Sequence, residues 1–517
     1  MNKINKYGLI VVGGGITGLS SGLTWAQYHD VKKEPVLIIE KEPKSGGYVT
    51  SYERQGYLFD TCQMIPNITE LLEFFDIDIE LKEYKGYYMR IFLVDIKTNK
   101  VKTIDLPSGF EDFKNELMEK YPKNAAEIEN FLDYSRALYL ELFKLKLDPN
   151  LIEILKMLLT CPKIVKNSRR TFKDYFAQFN ITEPDVIEIF TIFAEFSGLP
   201  ADRVSAPVPV SAMNSLLDGA FRPKGGFIEF PKKFEEKYLS LGGELMLNTK
   251  VNKILVENGE VKGVKLEDGS EIYSDLVVTT VDPIVAMKEM VGLDIIRELD
   301  KKYADKVENV KMSTSSMNIS IGLDNEIDLG ALGLDCGYSV ITTGGDIYDR
   351  LFDDMIQGKI GYTDEEFRLG VICPSLTTGG KPNIALRIVP MGIDDWAELR
   401  EKDPQRYNEK KQKWADFFIE KTEKYLIPDL RKHIKVLDVS TPATYARYSG
   451  SPSGAIYDMA PYPDNFGRTR LKMRTPVKGL FQPKFIHSVF ATLLAGMQVN
   501  DMILNRKIMD GNARYKA

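Results

Sequence analysis

Short apolar runs, glycine turns and helix-periodic stretches alternate along the chain, and the N-terminal set is the most regular. Residues 7–12 (YGLIVV) are apolar and β-branched, which predicts a buried parallel strand. GGGITG follows, and LSSGLTWAQY then places Leu19, Leu23 and Ala26 at helical spacing. A second apolar strand is predicted over residues 35–39 (PVLII), ending at Glu40. Helical periodicity returns from Phe131, from Leu151 and near residues 230–241. Strands are predicted at residues 244–247, 251–257, 261–267 and 275–280, with Asn258-Gly259 as a hairpin turn. Residues 315–324 and 383–392 read as strands of an antiparallel sheet. Residues 406–426 form an amphipathic helix with Trp414, Phe417, Phe418 and Tyr425 on its apolar side, an arrangement that suits core packing.

Composition narrows the class. At 517 residues the chain suffices for about two to four domains. With 44% hydrophobic and 27% charged residues it can bury a large core without disulfides or metals. Lysine plus arginine number 68 and aspartate plus glutamate 74, so the net charge of −6 lacks the basic excess of a general nucleic-acid binder. Cys62, Cys161, Cys336 and Cys373 form no C-x-x-C pair, which points to a reducing, cytoplasmic setting without structural zinc. His29, His433 and His487 are too scattered for a metal cluster, so no metal is expected. Lys3 and Lys6 precede the first apolar run as in a signal peptide, but that run is short and ends in glycines rather than a cleavage site. No stretch reaches the ~18 apolar residues of a membrane span. The apolar helix from Leu151 runs into Lys163, Lys166, Arg169, Arg170 and Lys173. That pattern suits either peripheral membrane contact or a core helix followed by a solvated loop.

The glycine turn carries the clearest chemistry. Gly13, Gly15 and Gly18 fit G-x-G-x-x-G between a strand and a helix. The first permits a tight turn, the second lets the backbone approach a pyrophosphate, and the third packs helix on strand. The helix start, with Ile16 and Thr17, offers N–H groups and a positive dipole end to phosphate. Glu40 stands 22 residues beyond Gly18, where an acid accepts hydrogen bonds from an adenosine ribose and disfavours a 2′-phosphate.

Past Glu40, the sequence KEPKSGGY brings Lys41, Gly46, Gly47 and Tyr48, and GYLFD closes at Asp60. Pro223, Gly225, Gly226, Gly242, Gly243, Thr249, Val251, Ile254, Asp282 and Pro283 form a second block, and Thr441, Pro442, Tyr445, Tyr448, Gly450, Pro452, Gly454 and Tyr457 a third. Together these resemble the phytoene desaturase, carotenoid isomerase and retinol saturase branch of the flavin amine oxidase superfamily. The resemblance spans nearly the whole chain in order, its middle third in pattern only. It implies an α/β fold: a glutathione-reductase-like Rossmann FAD-binding domain and an α+β substrate domain with an antiparallel sheet and a helical cap. The FAD domain would be discontinuous, from residues 1–66, 220–285 and 470–517. Residues 67–219 would form the helical cap and substrate region, with mixed helical and strand-like patterns up to about residue 146, and 286–469 the substrate-binding domain with the antiparallel sheet. FAD is the implied cofactor, held by Gly13, Gly15, Ile16, Thr17, Gly18, Glu40, Lys41, Gly46, Gly47, Tyr48 and the backbone at Val251. Tyr445, Tyr448 and Tyr457 would line an apolar tunnel.

The chain departs from the family pattern twice. Cys62 stands two residues after Asp60, where the family usually has a glycine, and reads as a small buried hydrophobe or as a thiol near the flavin. After the last strand the usual Gly-Asp is absent, and Lys484, Phe485, His487 and Ser488 stand there. Flavin contacts could be substituted, His487 or Lys484 could act in catalysis, or flavin binding could be weakened. His487, Lys484 and Tyr448 are thus the catalytic candidates. No second G-x-G-x-x-G marks a nicotinamide domain, so electrons come from substrate, a diffusible carrier or a quinone. The resemblance implies hydride transfer at carbon–carbon bonds of an apolar polyene or isoprenoid lipid, by desaturation, saturation or isomerisation. The alternatives are a flavin amine oxidase and a non-catalytic lipid or prenyl carrier. A homo-oligomer is compatible with the sequence.

Overall fold

The computed structural model describes residues 6–145, 151–359, 361–483 and 488–504. The first strand, Leu9–Val12, is fully buried and lies in the middle of a five-stranded parallel sheet. Its order is Glu244–Met246, Val36–Ile39, Leu9–Val12, Val277–Thr279 and Leu480–Phe481. Burial on both faces explains why these strands read as continuous apolar runs rather than alternating ones. One sheet thus collects strands from three distant parts of the chain.

The helix Ile16–Tyr28 covers one face and is buried from Ile16 to Ala26. It is sandwiched between Glu229–Ser240 and the C-terminal helix Val489–Leu504. Small residues make this possible. A Cβ on Gly22 would lie 2.8 Å from Ile38 Cδ1, and one on Gly496 would lie 2.6 Å from the Thr17 carbonyl. Ser20 Oγ donates to the Leu493 carbonyl at 2.6 Å, and Asn500 Nδ2 to the Ser21 carbonyl at 3.0 Å. The expected hairpin forms between Val251–Glu257 and Glu260–Leu266, with Asn258 at φ +50° and Gly259 at φ +76°, the left-handed pair such a turn requires.

A second sheet has seven strands: Ile434–Ser440, Ser315–Leu323, Asn383–Met391, Arg368–Ile372, Tyr338–Thr342, Tyr87–Asp95 and Lys100–Pro107. All neighbours pair antiparallel except Tyr338–Thr342 with Tyr87–Asp95. Here the expectation needs correcting. The sheet is not confined to residues 286–469, because its last two strands come from the cap and substrate region at residues 67–219. Those strands pair with each other as a local hairpin but join the sheet only through Tyr338–Thr342. Short-range pattern does not specify such a long-range edge.

The seven-stranded sheet divides two cores. Met317, Ile319, Ile341, Leu386 and Ile388 pack toward the helix Pro404–Tyr425, with its buried Trp414, Phe418 and Tyr425. Tyr338, Val340, Ile372 and Ala385 pack toward the cap helices, which include Ala125–Leu142, Pro184–Glu195 and Pro207–Leu217. Adjacent residues along each strand serve opposite faces, as the pleat dictates.

Candidate active site

The glycine turn lies at the carboxyl end of the central parallel strand. Gly13 takes φ +105°, which side chains rarely adopt. A Cβ on Gly18 would run into the Gly13 carbonyl oxygen, so strand–helix packing alone demands a glycine there. Gly15 differs. Its φ of −67° and ψ of 174° suit any residue, and an added Cβ would meet only Gly47 Cα, at 3.9 Å. Gly46 donates its N–H to the Gly14 carbonyl at 2.9 Å. The two glycine turns therefore meet backbone to backbone and leave open the space that side chains would fill. The helix starting at Ile16 has no side-chain cap and no acid in its first turn. Its N–H groups and positive dipole end are thus offered to an anion.

Glu40 closes the other side of this cradle. It is 9% exposed, and its carboxylate accepts from the N–H of Gly14 at 2.6 Å and of Glu42 at 2.9 Å. Its own N–H donates to Met246, and its carbonyl accepts from Thr249, two residues before the buried Val251. Lys41 Nζ donates to the Arg447 carbonyl at 3.0 Å, and Tyr48 Oη to the Ala455 carbonyl at 2.8 Å. Gly13, Gly15, Ile16, Thr17, Gly18, Glu40, Lys41, Gly46, Gly47, Tyr48 and Val251 are thus arranged around one end of the parallel sheet. A backbone cradle, an uncapped helix start and a carboxylate beyond it fit the pyrophosphate and ribose of a dinucleotide.

The segment after the helix Pro442–Ser449 is held against this cradle. Thr441 and Thr444 form a capping box at the start of that helix, with Pro442 in its first turn. Ser451 Oγ donates to Asp282 at 2.6 Å, and the Tyr445 ring lies 6.3 Å from that of Tyr48. Desolvation raises the Asp282 carboxyl above its ordinary range. Burial pushes Asp458 up to about 6, opposed by the buried guanidinium of Arg470.

Two buried ionic groups complete the site. Arg222 and Asp60 pair at 2.8 Å with side chains 1% and 0% exposed. Asp60 also accepts from the Phe227 N–H at 3.0 Å and from Ser51 Oγ. Arg368 pairs with both Glu188 and Glu195, and burial raises the Glu188 carboxyl. Arg368, Glu195, Arg387, Gln63, Tyr338 and Tyr457 line a cavity between the seven-stranded sheet and the end of the helix Pro184–Glu195. No motif marks Arg222, Arg368 or Arg387; the signal for each is a lone arginine inside an otherwise apolar strand, AFRP, RLGVI and NIALRIVPM.

Other expectations change. Tyr448 is 57% exposed and lies under the Arg447 guanidinium, 5.3 Å from ring centroid to Cζ, so it lines no tunnel. It falls three residues past Tyr445 on a helix that buries only Pro442 and Ala443. Lys484 and His487 lie outside the described residues. Cys62 donates to the Tyr48 carbonyl at 3.4 Å, and desolvation pushes its thiol up to about 11, which keeps it protonated near neutrality. One histidine does sit among acids: His433 lies with Asp324 and Glu326, their ligand-type atoms within 4.8 Å of one another. His433 Nδ1 already pairs with Asp324 at 2.9 Å.

A parallel sheet with a dinucleotide cradle, joined to a largely antiparallel sheet that bears a buried polar cavity, defines a two-part flavoprotein architecture. The sequence profile of the flavin-containing amine oxidoreductases matches residues 20–399, and the chain belongs to that family. It is 24% identical to the prolycopene isomerase of Daucus carota over 93% of this chain and 76% of that one. It is 22% identical to a lycopene-forming phytoene desaturase of Pseudescherichia vulneris, over 87% of this chain and 89% of that one. Among solved structures, an oxidoreductase from Methanosarcina mazei superposes with a TM-score of 0.63 at 16% identity, over 95% of this chain and 99% of that one. This last likeness concerns the fold.

Proposed function

We propose that the protein is an FAD-dependent enzyme acting on carbon–carbon bonds of an apolar polyene or isoprenoid, as a desaturase, saturase or isomerase. The observation that carries this reading is the match to a carotenoid isomerase along 93% of the chain. The flavin, when bound, supplies a hydride acceptor or donor. The protein's own part is to hold and orient. Gly13–Gly18 and Gly46–Gly47 bring backbone against the pyrophosphate, Glu40 receives the ribose hydroxyls, and Tyr445 and Tyr457 present aromatic surface toward the reacting chain. Positioning of this kind needs few proton-transfer groups. Purified protein is expected to absorb visibly as a flavoprotein and to release FAD on denaturation; anaerobic bleaching by phytoene would report desaturation, re-oxidation of pre-reduced flavin by a polyene would report saturation, and cis–trans conversion of a poly-cis polyene without net bleaching would report isomerisation. A colourless protein that reconstitution with FAD leaves colourless overturns the proposal.

Amine oxidation is the second reading, favoured by the profile that the chain matches. Arg387 lines the cavity without a carboxylate partner among the described residues and opposes an ammonium group in that space. Peroxide release on an amine screen would favour this second reading.

The same reading places the substrate in a bilayer, and the helix Leu151–Thr160 offers a way to reach it. Ile152, Leu155, Leu158 and Leu159 are 66%, 55%, 49% and 84% exposed, an unusual cost unless an apolar phase covers them. Lys156, Lys166 and Arg169 are exposed beside them. No helix among the described residues is long and apolar enough to cross a membrane. A basic, apolar helix of this kind suits the interface of an anionic membrane. Leu155→Glu/Leu159→Glu is expected to weaken co-sedimentation with phosphatidylglycerol vesicles by at least about tenfold, since each leucine contributes roughly 1.5–3 kcal/mol when buried. Unchanged binding would show that this face serves another purpose.

A further inference from the structure

The cavity above the seven-stranded sheet is poorly suited to a pure hydrocarbon. Arg387 is 6% exposed and lines it. Its Nη2 donates to the Asp60 carbonyl at 2.8 Å, while Nε finds no acceptor among the described residues. Among those residues no carboxylate pairs with this guanidinium, because Asp60 turns its side chain to Arg222 and both Glu188 and Glu195 engage Arg368. A buried cation with an idle donor is costly unless something completes it. Gln63, Tyr338 and Tyr457 add polar atoms around the same space. An apolar chain end would leave the Arg387 Nε desolvated and unmatched.

We propose that the substrate carries a carboxylate at the end that enters this cavity, and that Arg387 is the residue that selects it. This rests on the polyene reading of the site and adds to it. The substrate would be a polyene or isoprenoid acid rather than a hydrocarbon. A guanidinium recognises a carboxylate through charge-assisted N–H donors, and burial strengthens the contact.

The test compares retinoic acid with methyl retinoate, which share a chain and differ in the charge at one end. Their binding to the purified flavoprotein is followed by quenching of protein fluorescence, without turnover. The wild type is expected to prefer the acid by about tenfold or more, the effect of one hydrogen-bonded charge contact. Arg387→Met is expected to erase that preference while leaving the ester's affinity in place, and Arg387→Lys to keep part of it. Equal binding of acid and ester by the wild type overturns the proposal, as does a preference that survives Arg387→Met. Should Arg387→Met fail to fold, the wild-type ratio and Arg387→Lys still decide. A protein that prefers the acid but neither desaturates, saturates nor isomerises a polyene sinks the enzyme reading and keeps this one. Turnover of hydrocarbon polyenes without acid preference does the reverse.

Discussion

Asp60→Ala is expected to destabilise the protein by about 3–5 kcal/mol, the cost of removing one partner of a buried ion pair. The loss reaches beyond the pair. Asp60 accepts from Arg222 at 2.8 Å, from the Phe227 N–H at 3.0 Å and from Ser51 Oγ. It thereby ties the hairpin Ser51–Arg54/Tyr57–Asp60 to the strand Ala220–Pro223 and to the start of the helix Glu229–Ser240. In the variant, Arg222 would stay 1% exposed with only Tyr84 Oη at 3.2 Å, the Cys62 carbonyl at 3.4 Å and the Phe227 ring beneath it. None of these carries negative charge. Asp60→Asn keeps the shape and an acceptor oxygen for Phe227, so its loss should be smaller. Urea unfolding followed through tryptophan fluorescence measures both, with Trp25 reporting on the parallel sheet and Trp396 and Trp414 on the other core. A shift below about 1 kcal/mol for Asp60→Ala would mean that the ion pair only replaces what water supplies equally well.

Gly15→Val is expected to weaken flavin binding by roughly 5–150-fold while leaving the fold intact, the range of 1–3 kcal/mol for overfilling a tight space. The dihedral angles of Gly15 lie in the extended region, and an added Cβ meets only Gly47 Cα at 3.9 Å. The protein itself therefore has room for a Cβ there, while Gly18 has none. Any objection must come from a ligand that uses the gap between the two glycine turns. Gly18→Val is the contrasting control: its Cβ would strike the Gly13 carbonyl, so it should destabilise the apoprotein. The ratio of visible to protein absorbance gives flavin content, and a thermal melt without flavin gives stability. Full flavin content in Gly15→Val would move the pyrophosphate away from this turn.

Much of the nucleotide-binding half could be read from the sequence, because its signals are local. A β-branched run, a glycine turn, a helix and a second run predict a strand–turn–helix–strand unit wherever the rest of the chain goes. The Asn258-Gly259 hairpin and the helix Pro404–Tyr425 were legible for the same reason. Tyr448 was misplaced because a tyrosine at helical spacing carries no mark of which side faces solvent. The strand-like pattern before residue 146 does not reveal its sheet, because those two strands join one only through Tyr338–Thr342.

What the sequence determined by itself is the glycine spacing, the acid at position 40 and the periodicity of each element, all of which follow from backbone sterics and from burial over short distances. What only the tertiary structure decided is where the charges go. Asp60 and Arg222 stand 162 residues apart, and Arg368 and Glu188 180 apart. Arg387 sits beside Gly370 only because their strands pair. Hydrophobic pattern places an arginine in a strand as an exception. Only the long-range packing that removes water from it determines whether that exception is silenced by a carboxylate or, as at Arg387, left with a donor to offer.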